Sequence, residues 1–123
     1  MKKIFFCLAI FSIILAGCNN KFIFLEGESD NWRGEYSANI TDNTEFGNYI
    51  FGYKEANSDI SFKNLKVTIN DGESELNAEM HEGATVRMST SCSGCSVTNE
   101  DQPQKVTIKW DGNAETFYLK RTN

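Results

Sequence analysis

The segment from Val106 to Leu119 reads Val-Thr-Ile-Lys-Trp-Asp-Gly-Asn-Ala-Glu-Thr-Phe-Tyr-Leu, and it indicates the class of fold. On each side of the Asp-Gly pair, apolar residues alternate with polar ones, which is the period of a β-strand with one face on a core. The apolar positions are even-numbered before the pair and odd-numbered after it, so they share a face only across a loop with an even number of residues. The segment therefore predicts a hairpin that turns at Asp111 and Gly112 alone or over residues 111–114.

The same period of two recurs along the chain from Trp32 onward, and no window keeps a helical period for three turns. Parity predicts two more hairpins, one around Asp71 and Gly72 and one with a three-residue loop at positions 81–83. We predict an all-β fold, an antiparallel two-sheet sandwich of the immunoglobulin-like kind with about seven to eight short strands. The apolar series expected to face its core are Trp32, Gly34, Tyr36, Ala38 and Ile40; Tyr49, Phe51 and Tyr53; Leu65, Val67 and Ile69; Leu76, Ala78 and Met80; Ala84, Val86 and Met88; Val106, Ile108 and Trp110; and Phe117 and Leu119.

The first 18 residues have the order of a bacterial export signal. Met1-Lys2-Lys3 is followed by an apolar run up to Ile14, which is typical of a secretory signal peptide. The run is too short for a spanning helix, which needs about 20 apolar residues. Leu15-Ala16-Gly17-Cys18 resembles the bacterial lipobox, in which a diacylglyceryl group is attached to the cysteine thiol before the chain is cut in front of it.

These features predict the cellular location and the domains of the protein. We expect residues 1–17 to be a lipoprotein signal peptide and Cys18 to be the lipidated first residue of the mature chain, held at the extracytoplasmic face of the cell membrane. Residues 18–31 are predicted to be a tether and residues 32–123 a β-sandwich domain. The apolar stretch at positions 22–25 either rests in the headgroup region beside the lipid or forms a first edge strand. The alternative for Cys18 is an ordinary cleaved signal in which this cysteine is incidental.

The balance of charge limits the expected partners. Without Lys2 and Lys3, the chain keeps 10 of its 12 basic side chains against 17 acidic ones, a formal balance of −7. Nucleic acid is therefore not an expected partner, because phosphate binding requires clustered Lys and Arg. The expected partners are the membrane, through the lipid on Cys18, and an envelope protein or a glycan.

Cys92-Ser93-Gly94-Cys95 is the most conspicuous local motif of the mature chain. Outside the cytoplasm, two thiols at this spacing oxidise to a disulfide, so we predict a bond between Cys92 and Cys95. Such a short bridge contributes about 2 kcal/mol and fixes a loop. The rival interpretation is thiol–disulfide exchange, which requires one thiol with a lowered pKa. Zinc would require His81, on another loop, as a further ligand, so no metal and no cofactor is expected.

No set of residues specifies a catalytic reaction. His81 is expected at an exposed hairpin tip with no nucleophile in reach. The paired carboxylates Glu73/Glu75 and Glu79/Glu82 are expected to form a solvated face rather than a glycosidase pair. We therefore expect a protein that is not an enzyme.

The aromatic residues suggest either a stacking platform for sugars or peptides, or a core. Most of them fall on the apolar parity of their strands, so we expect the tryptophans to pack in the core and Tyr118 to face outward. The residues concerned are Trp32, Tyr36, Tyr49, Tyr53, Trp110 and Tyr118.

Three stretches together resemble one group of proteins. They are Gly27-Glu28-Ser29-x-Asn31-Trp32, Ser91-Cys92-Ser93-Gly94-Cys95 and Val106-x-Ile108-x-Trp110-x-Gly112-x-x-Glu115-x-Phe117. This set resembles the small uncharacterised membrane lipoproteins of Bacillus-type Gram-positive bacteria, over nearly the whole mature chain. The resemblance implies a Gram-positive membrane anchor and implies no activity.

From these observations we expect a non-enzymatic lipoprotein whose sandwich is a binding or interaction module of the cell envelope. Loops such as residues 91–104 are expected to point away from the membrane, because loops on a rigid scaffold carry recognition. The alternatives are a thiol–disulfide redox protein using Cys92 and Cys95, and an envelope inhibitor or chaperone that binds by edge-strand addition.

Overall fold

The computed structural model describes residues 20–55, 59–94 and 97–122, which form eight β-strands. None of these residues belongs to a helix that could cross a membrane. The predicted signal peptide at residues 1–17 and the predicted lipidation site Cys18 lie outside the described residues. In chain order the strands are β1 (Asn20–Glu28), β2 (Trp32–Thr41), β3 (Thr44–Tyr53), β4 (Ser61–Ile69), β5 (Ser74–Glu82), β6 (Thr85–Ser93), β7 (Gln104–Trp110) and β8 (Asn113–Leu119).

The strands form two antiparallel sheets with four strands each. Sheet A has the order β1-β2-β3-β6, and sheet B has the order β5-β4-β7-β8. The predicted all-β, two-sheet sandwich is therefore confirmed. The order differs from the ABED and CFG order of immunoglobulin domains, so the likeness extends to the layers and not to the connections between strands.

The core lies between the sheets and is rich in aromatic rings. Trp32 packs with its ring centroid 5.2 Å from those of Tyr53 and Phe62 and 5.6 Å from that of Trp110. Both tryptophans are buried, so the predicted core role of Trp32 and Trp110 is confirmed. The inward side chains of β2, β3, β7 and β8 follow the predicted alternation almost without exception.

The two ends of the sandwich carry different connections. The lower end is where β1 begins; it holds the β2–β3 turn and the end of β6, joined by a 2.9 Å hydrogen bond from Gly94 N to Asn43 O. The upper end holds residues 29–31, the β5–β6 connection and the β7–β8 turn. There the backbone N–H of Tyr53 donates to the carbonyl of Ala84 at 2.9 Å.

Two of the predicted hairpins are confirmed. β7 pairs with β8 across a turn of Asp111 and Gly112 alone, and both residues have positive φ, 46° and 83°, as a type I′ turn requires. β4 pairs with β5 from Ile69 opposite Ser74, so the loop between them has four residues, one of the two lengths that parity allows.

The third predicted hairpin is wrong. Met80 and Ala84 do not lie on paired strands, because β6 pairs with β3 in sheet A while β5 pairs with β4 in sheet B. Gly83 carries the chain from one sheet to the other, and its N–H donates to the carbonyl of Ile60 at 2.8 Å. Parity between adjacent segments cannot tell a hairpin from a crossing between sheets.

A reversal of side-chain direction occurs at Asn64 in β4. Asn64 has a positive φ of 51°, and the buried residues on either side of it, Phe62 and Leu65, differ in parity. The partner strand β5 follows the same change, so Met80 is 53 % exposed while His81 lies against Phe62. The prediction that Met80 faces the core is therefore wrong.

The predicted domain boundary at residue 32 also requires correction. β1 begins at Asn20 and pairs with β2 along its whole length, with Ile23 and Leu25 fully buried. Of the two alternatives for the apolar stretch at positions 22–25, the first edge strand is the one observed. Residues 20–28 thus belong to the domain and not to a tether.

β1 also joins the two sheets along one side of the sandwich. Glu26 exchanges two backbone hydrogen bonds of 2.9 Å with Lys120, the residue after β8. Gly27 makes this approach possible, because a Cβ at that position would lie 2.0 Å from the carbonyl oxygen of Tyr118. Backbone hydrogen bonds therefore close this side of the sandwich.

The substitution Gly27→Ala tests the close contact between β1 and the end of β8. We expect it to lower the free energy of unfolding by about 2–3 kcal/mol, because the added methyl meets backbone that cannot move aside cheaply. Urea unfolding followed by tryptophan fluorescence measures the effect. The matched control is Gly52→Ala on β3, where a Cβ meets nothing within 4 Å. Equal stability of the two variants would contradict the close contact between β1 and β8.

Candidate functional site

A buried carboxylate marks the most polar region inside the sandwich. Glu45 on β3 is only 6 % exposed, and its side chain faces inward at the lower end. Its neighbours are Tyr36 on β2, Tyr49 on β3, Thr98 in the connection before β7, and Gln104 at the start of β7. We call these five residues the Glu45 cluster.

Both carboxylate oxygens of Glu45 accept hydrogen bonds. The hydroxyls of Tyr36 and Thr98 donate to Oε2, the second at 2.7 Å, and the backbone N–H of Thr98 donates to Oε1 at 2.7 Å. The Tyr49 hydroxyl donates to Oε1 of Gln104. Glu45 thus has the partners that a buried charge requires, and the cluster fixes the connection before β7 against sheet A.

Gly47 explains how Tyr36 reaches Glu45. In the register of β2 and β3, Tyr36 lies opposite Tyr49, so its side chain must run along β3 to meet Glu45. A Cβ on Gly47 would lie 2.2 Å from the Tyr36 hydroxyl oxygen. The glycine therefore leaves the space that the phenol ring occupies.

The tyrosines of the cluster are held in their protonated form. Burial and, to a smaller extent, the hydrogen bond to Glu45 together raise the pKa of Tyr36 to about 12. Burial likewise raises the pKa of Tyr49. At neutral pH both phenols therefore act as hydrogen-bond donors and not as bases, and the cluster acts by positioning its own residues.

A cleft of about 430 Å³ opens beside the cluster at the lower end. Its further walls are formed by Glu73, Ser74, Thr90, Ser91 and Cys92. The volume falls within the range of ligand pockets, about 300–1,000 Å³, but such pockets are mostly apolar and this one is lined by hydroxyls, carboxylates and an amide. If the cleft holds a ligand, that ligand is small and polar.

The cysteines are placed only in part. Cys92 is half-buried near the end of β6, opposite Glu45 in the register of β3 and β6. Cys95 lies outside the described residues, so the disulfide between Cys92 and Cys95 stays a prediction. Within residues 20–55, 59–94 and 97–122, no group of three or more His, Cys, Asp or Glu side chains is arranged to hold a metal ion.

His81 does not lie at an exposed tip, which corrects its predicted position. Its ring stacks on Phe62 with the centroids 6.5 Å apart, and its Nε2 lies 2.9 Å from the carbonyl oxygen of Thr85. The predicted solvated carboxylates on and beside β5 are all exposed, and Tyr118 faces outward as predicted. His81 and the Glu45 cluster lie at opposite ends of the sandwich.

The structure joins two of the sequence motifs at the upper end. Glu115 on β8 accepts hydrogen bonds from the Ser29 hydroxyl at 2.5 Å, from the backbone N–H of Asn31 at 3.0 Å, and from the Asn31 side-chain amide. The Lys54 ammonium donates to the carbonyl of Ser29 at 2.6 Å. Glu115 thereby fixes the turn between β1 and β2 onto sheet B.

These contacts decide the protonation of Glu115. Burial by itself raises the pKa of this carboxyl, but the hydrogen bonds from Ser29 and Asn31 and the nearby Lys54 ammonium outweigh it. The net effect is a pKa below the ordinary value of 4.5. Glu115 is therefore ionised, and it favours the folded state at neutral pH.

The Glu45 cluster was not among the sites predicted from the sequence. A signal for Glu45 exists, since this residue shares the parity of Tyr49 and Phe51 and so belongs to an inward series. Thr98 has no such signal, because the connection before β7 lacks any alternation. Comparison of the chain with protein-family models, with curated proteins and with solved structures found no match.

The substitution Glu45→Ala tests the cluster. It leaves the Tyr36 hydroxyl and the Thr98 N–H without their acceptor, and we expect the free energy of unfolding to fall by about 3 kcal/mol. The control Glu35→Ala, on the outer face of β2, is expected to change stability by less than about 0.5 kcal/mol. Urea unfolding of both variants decides the matter, and equal changes would show that the Glu45 contacts contribute nothing.

The Glu115 contacts predict a dependence of stability on pH. Because the pKa of Glu115 is lower in the folded state, its contribution is complete above pH 4.5 and is lost as the pH falls through the lowered pKa. The difference in unfolding free energy between the wild type and Glu115→Gln should therefore be larger at neutral pH than under acid conditions. A difference that stays constant with pH would contradict this account.

Proposed function

We propose that the protein is an extracytoplasmic lipoprotein, held on the cell membrane by a diacylglyceryl group on Cys18, whose sandwich is a binding or interaction module of the envelope. The order of residues 1–18 supports the anchor, with its basic start, apolar run and lipobox-like end. The resemblance to Bacillus-type lipoproteins supports the same location at the cell membrane. Two acyl chains would make the attachment stable where a single chain would be reversible.

The position of β1 determines where such an anchor would place the domain. The strand begins at Asn20, two residues after Cys18, so the Cα atoms of these residues are at most about 8 Å apart. A lipid on Cys18 would therefore hold the lower end at the membrane and leave the upper end turned away from the attachment point. The predicted tether is not needed to connect lipid and domain.

This arrangement changes which surface would meet a partner. The described part of the connection at residues 91–104 lies at the lower end, where Lys21 on β1 forms an ion pair of 3.4 Å with Glu100. With an anchor at Cys18, this segment does not point away from the membrane as expected from the sequence. The upper end, where Glu115 accepts hydrogen bonds from Ser29 and Asn31, is the surface that we propose meets an envelope protein or a glycan.

The surroundings of Cys92 give little support to the alternative of thiol–disulfide exchange. Its neighbour on β3 is Glu45, a carboxylate, and the described residues supply no helix whose N-terminus would favour a thiolate. Edge-strand addition has a structural basis, since the outer edges of β5 and β6 have no strand beyond them among the described residues. Edge-strand addition would be the way in which the interaction module binds a partner, rather than a separate function.

Mass spectrometry of the protein from the membranes of a lipoprotein-processing bacterium tests the proposal. We expect a mature chain that begins at Cys18 and carries a diacylglyceryl group, and we expect Cys18→Ala to abolish the modification. The matched control is Cys7→Ala, in the apolar run, which should leave the modification unchanged. An unmodified Cys18 in the wild type, or an amino terminus elsewhere, would refute the anchor.

A further inference from the structure

The outer face of sheet A has an uncharged lower part and a charged upper part. Register places its outward side chains in rows across the four strands. From the lower end these rows are Asn20, Thr41, Thr44 and Ser93; Phe22, Asn39, Phe46 and Ser91; and Phe24, Ser37, Asn48 and Ser89. None of these described side chains is charged. The next rows upward are Glu26, Glu35, Ile50 and Arg87, and then Glu28, Arg33, Gly52 and Thr85.

The lower rows also expose an unusual amount of aromatic surface. Phe22 and Phe46 are each 61 % exposed, and Phe24 is 37 % exposed. Phe22 and Phe46 flank Asn39 in one row, so their strands lie about 10 Å apart. We call these three phenylalanines, together with Asn39, the phenylalanine patch. Grouped apolar exposure of this kind on a small domain marks a surface of contact.

The outer face of sheet B has no comparable area. Its outward side chains include Lys66, Glu75, Lys105 and Lys109, which distribute charge across the sheet, and Tyr118 is its large exposed aromatic residue. The outer faces of the two sheets therefore differ in kind. Of the two, only the lower part of the sheet A face could be covered by an apolar phase without also desolvating charged side chains.

We propose that the phenylalanine patch rests on the outer leaflet of the membrane that holds Cys18. This inference rests on the proposed lipid anchor. The chain outside the described residues ends at the lower edge of this face, since Cys18 is two residues from Asn20 and Phe22 follows two residues later on β1. A lipid on Cys18 would therefore bring the phenylalanine patch to the membrane surface.

The charged and uncharged rows on the outer face of sheet A are arranged as such a contact with the membrane requires. The uncharged rows enter the boundary between headgroups and acyl chains with no ion to desolvate, while the row with Glu26 opposite Glu35 stays in water, where like charges on neighbouring strands are screened. Asp42 lies in the β2–β3 turn, beyond the first row. The lipid supplies the attachment, and the rings set the orientation, with sheet B facing the aqueous side.

Hydroxyl-radical footprinting of the lipidated protein on vesicles tests this orientation. The vesicles contain equal parts of phosphatidylcholine and phosphatidylglycerol, and the reference is the mature chain with Cys18→Ser in solution. We expect the oxidation rates of Phe22 and Phe46 to fall about fivefold on vesicles, since lipid covers most of each exposed ring. Met80 and Tyr118, on sheet B, are the internal controls, and their rates should stay unchanged.

A variant separates the patch from the anchor. In lipidated Phe22→Ser/Phe46→Ser we expect Phe24 to lose its protection while the protein still floats with the vesicles, and Tyr118→Ser should leave the protection intact. Unprotected Phe22 and Phe46 on protein that floats, or protection of Tyr118 and Met80 instead, would overturn this inference and leave the anchor standing. Protein that does not float would refute the anchor and this inference together.

Discussion

Strand β1 is the element on which the rest of the structure depends. It pairs with β2 along its whole length, and through Glu26 it is joined to the end of β8, so it belongs to one sheet and closes the sandwich onto the other. The close contact exists because Gly27 has no side chain to hold β8 away. Since β1 also begins two residues after Cys18, the same strand would connect a lipid anchor directly to the core.

The two ends of the sandwich are fixed by buried or half-buried carboxylates in different ways. At the lower end Glu45 accepts hydrogen bonds from Tyr36 and Thr98 inside the core, and at the upper end Glu115 accepts them from Ser29 and Asn31. In each case a strand is joined to a connection, β3 to the segment before β7 and β8 to the turn between β1 and β2. The result is a small domain whose loops are held by charge-assisted hydrogen bonds, which are stronger than bonds between neutral groups.

Much of this fold follows from the sequence. Alternation of apolar residues predicts the strands, and parity predicts the turn at Asp111 and Gly112, because both depend on neighbouring residues. Three features escape such reasoning: the crossing of the chain between sheets at Gly83, the reversal of direction at Asn64, and the contact of β1 with Lys120 after β8. The crossing and the contact with Lys120 join segments that are distant in the chain, and the reversal arises from the positive φ of a single residue, so parity within a segment carries no information about any of them. The same holds for the sites, since Glu45 is visible in the alternation of β3, whereas Thr98 and the pairing of Ser29 with Glu115 are not.

The central claim is that no tether separates the anchor from the domain, so the sandwich lies directly against the membrane surface. Neutron reflectometry of the lipidated protein on a supported bilayer measures this separation. The account predicts protein density that begins at the headgroups with no layer of water between. A water-filled gap approaching the roughly 40 Å that an extended tether of residues 18–31 would allow would contradict it.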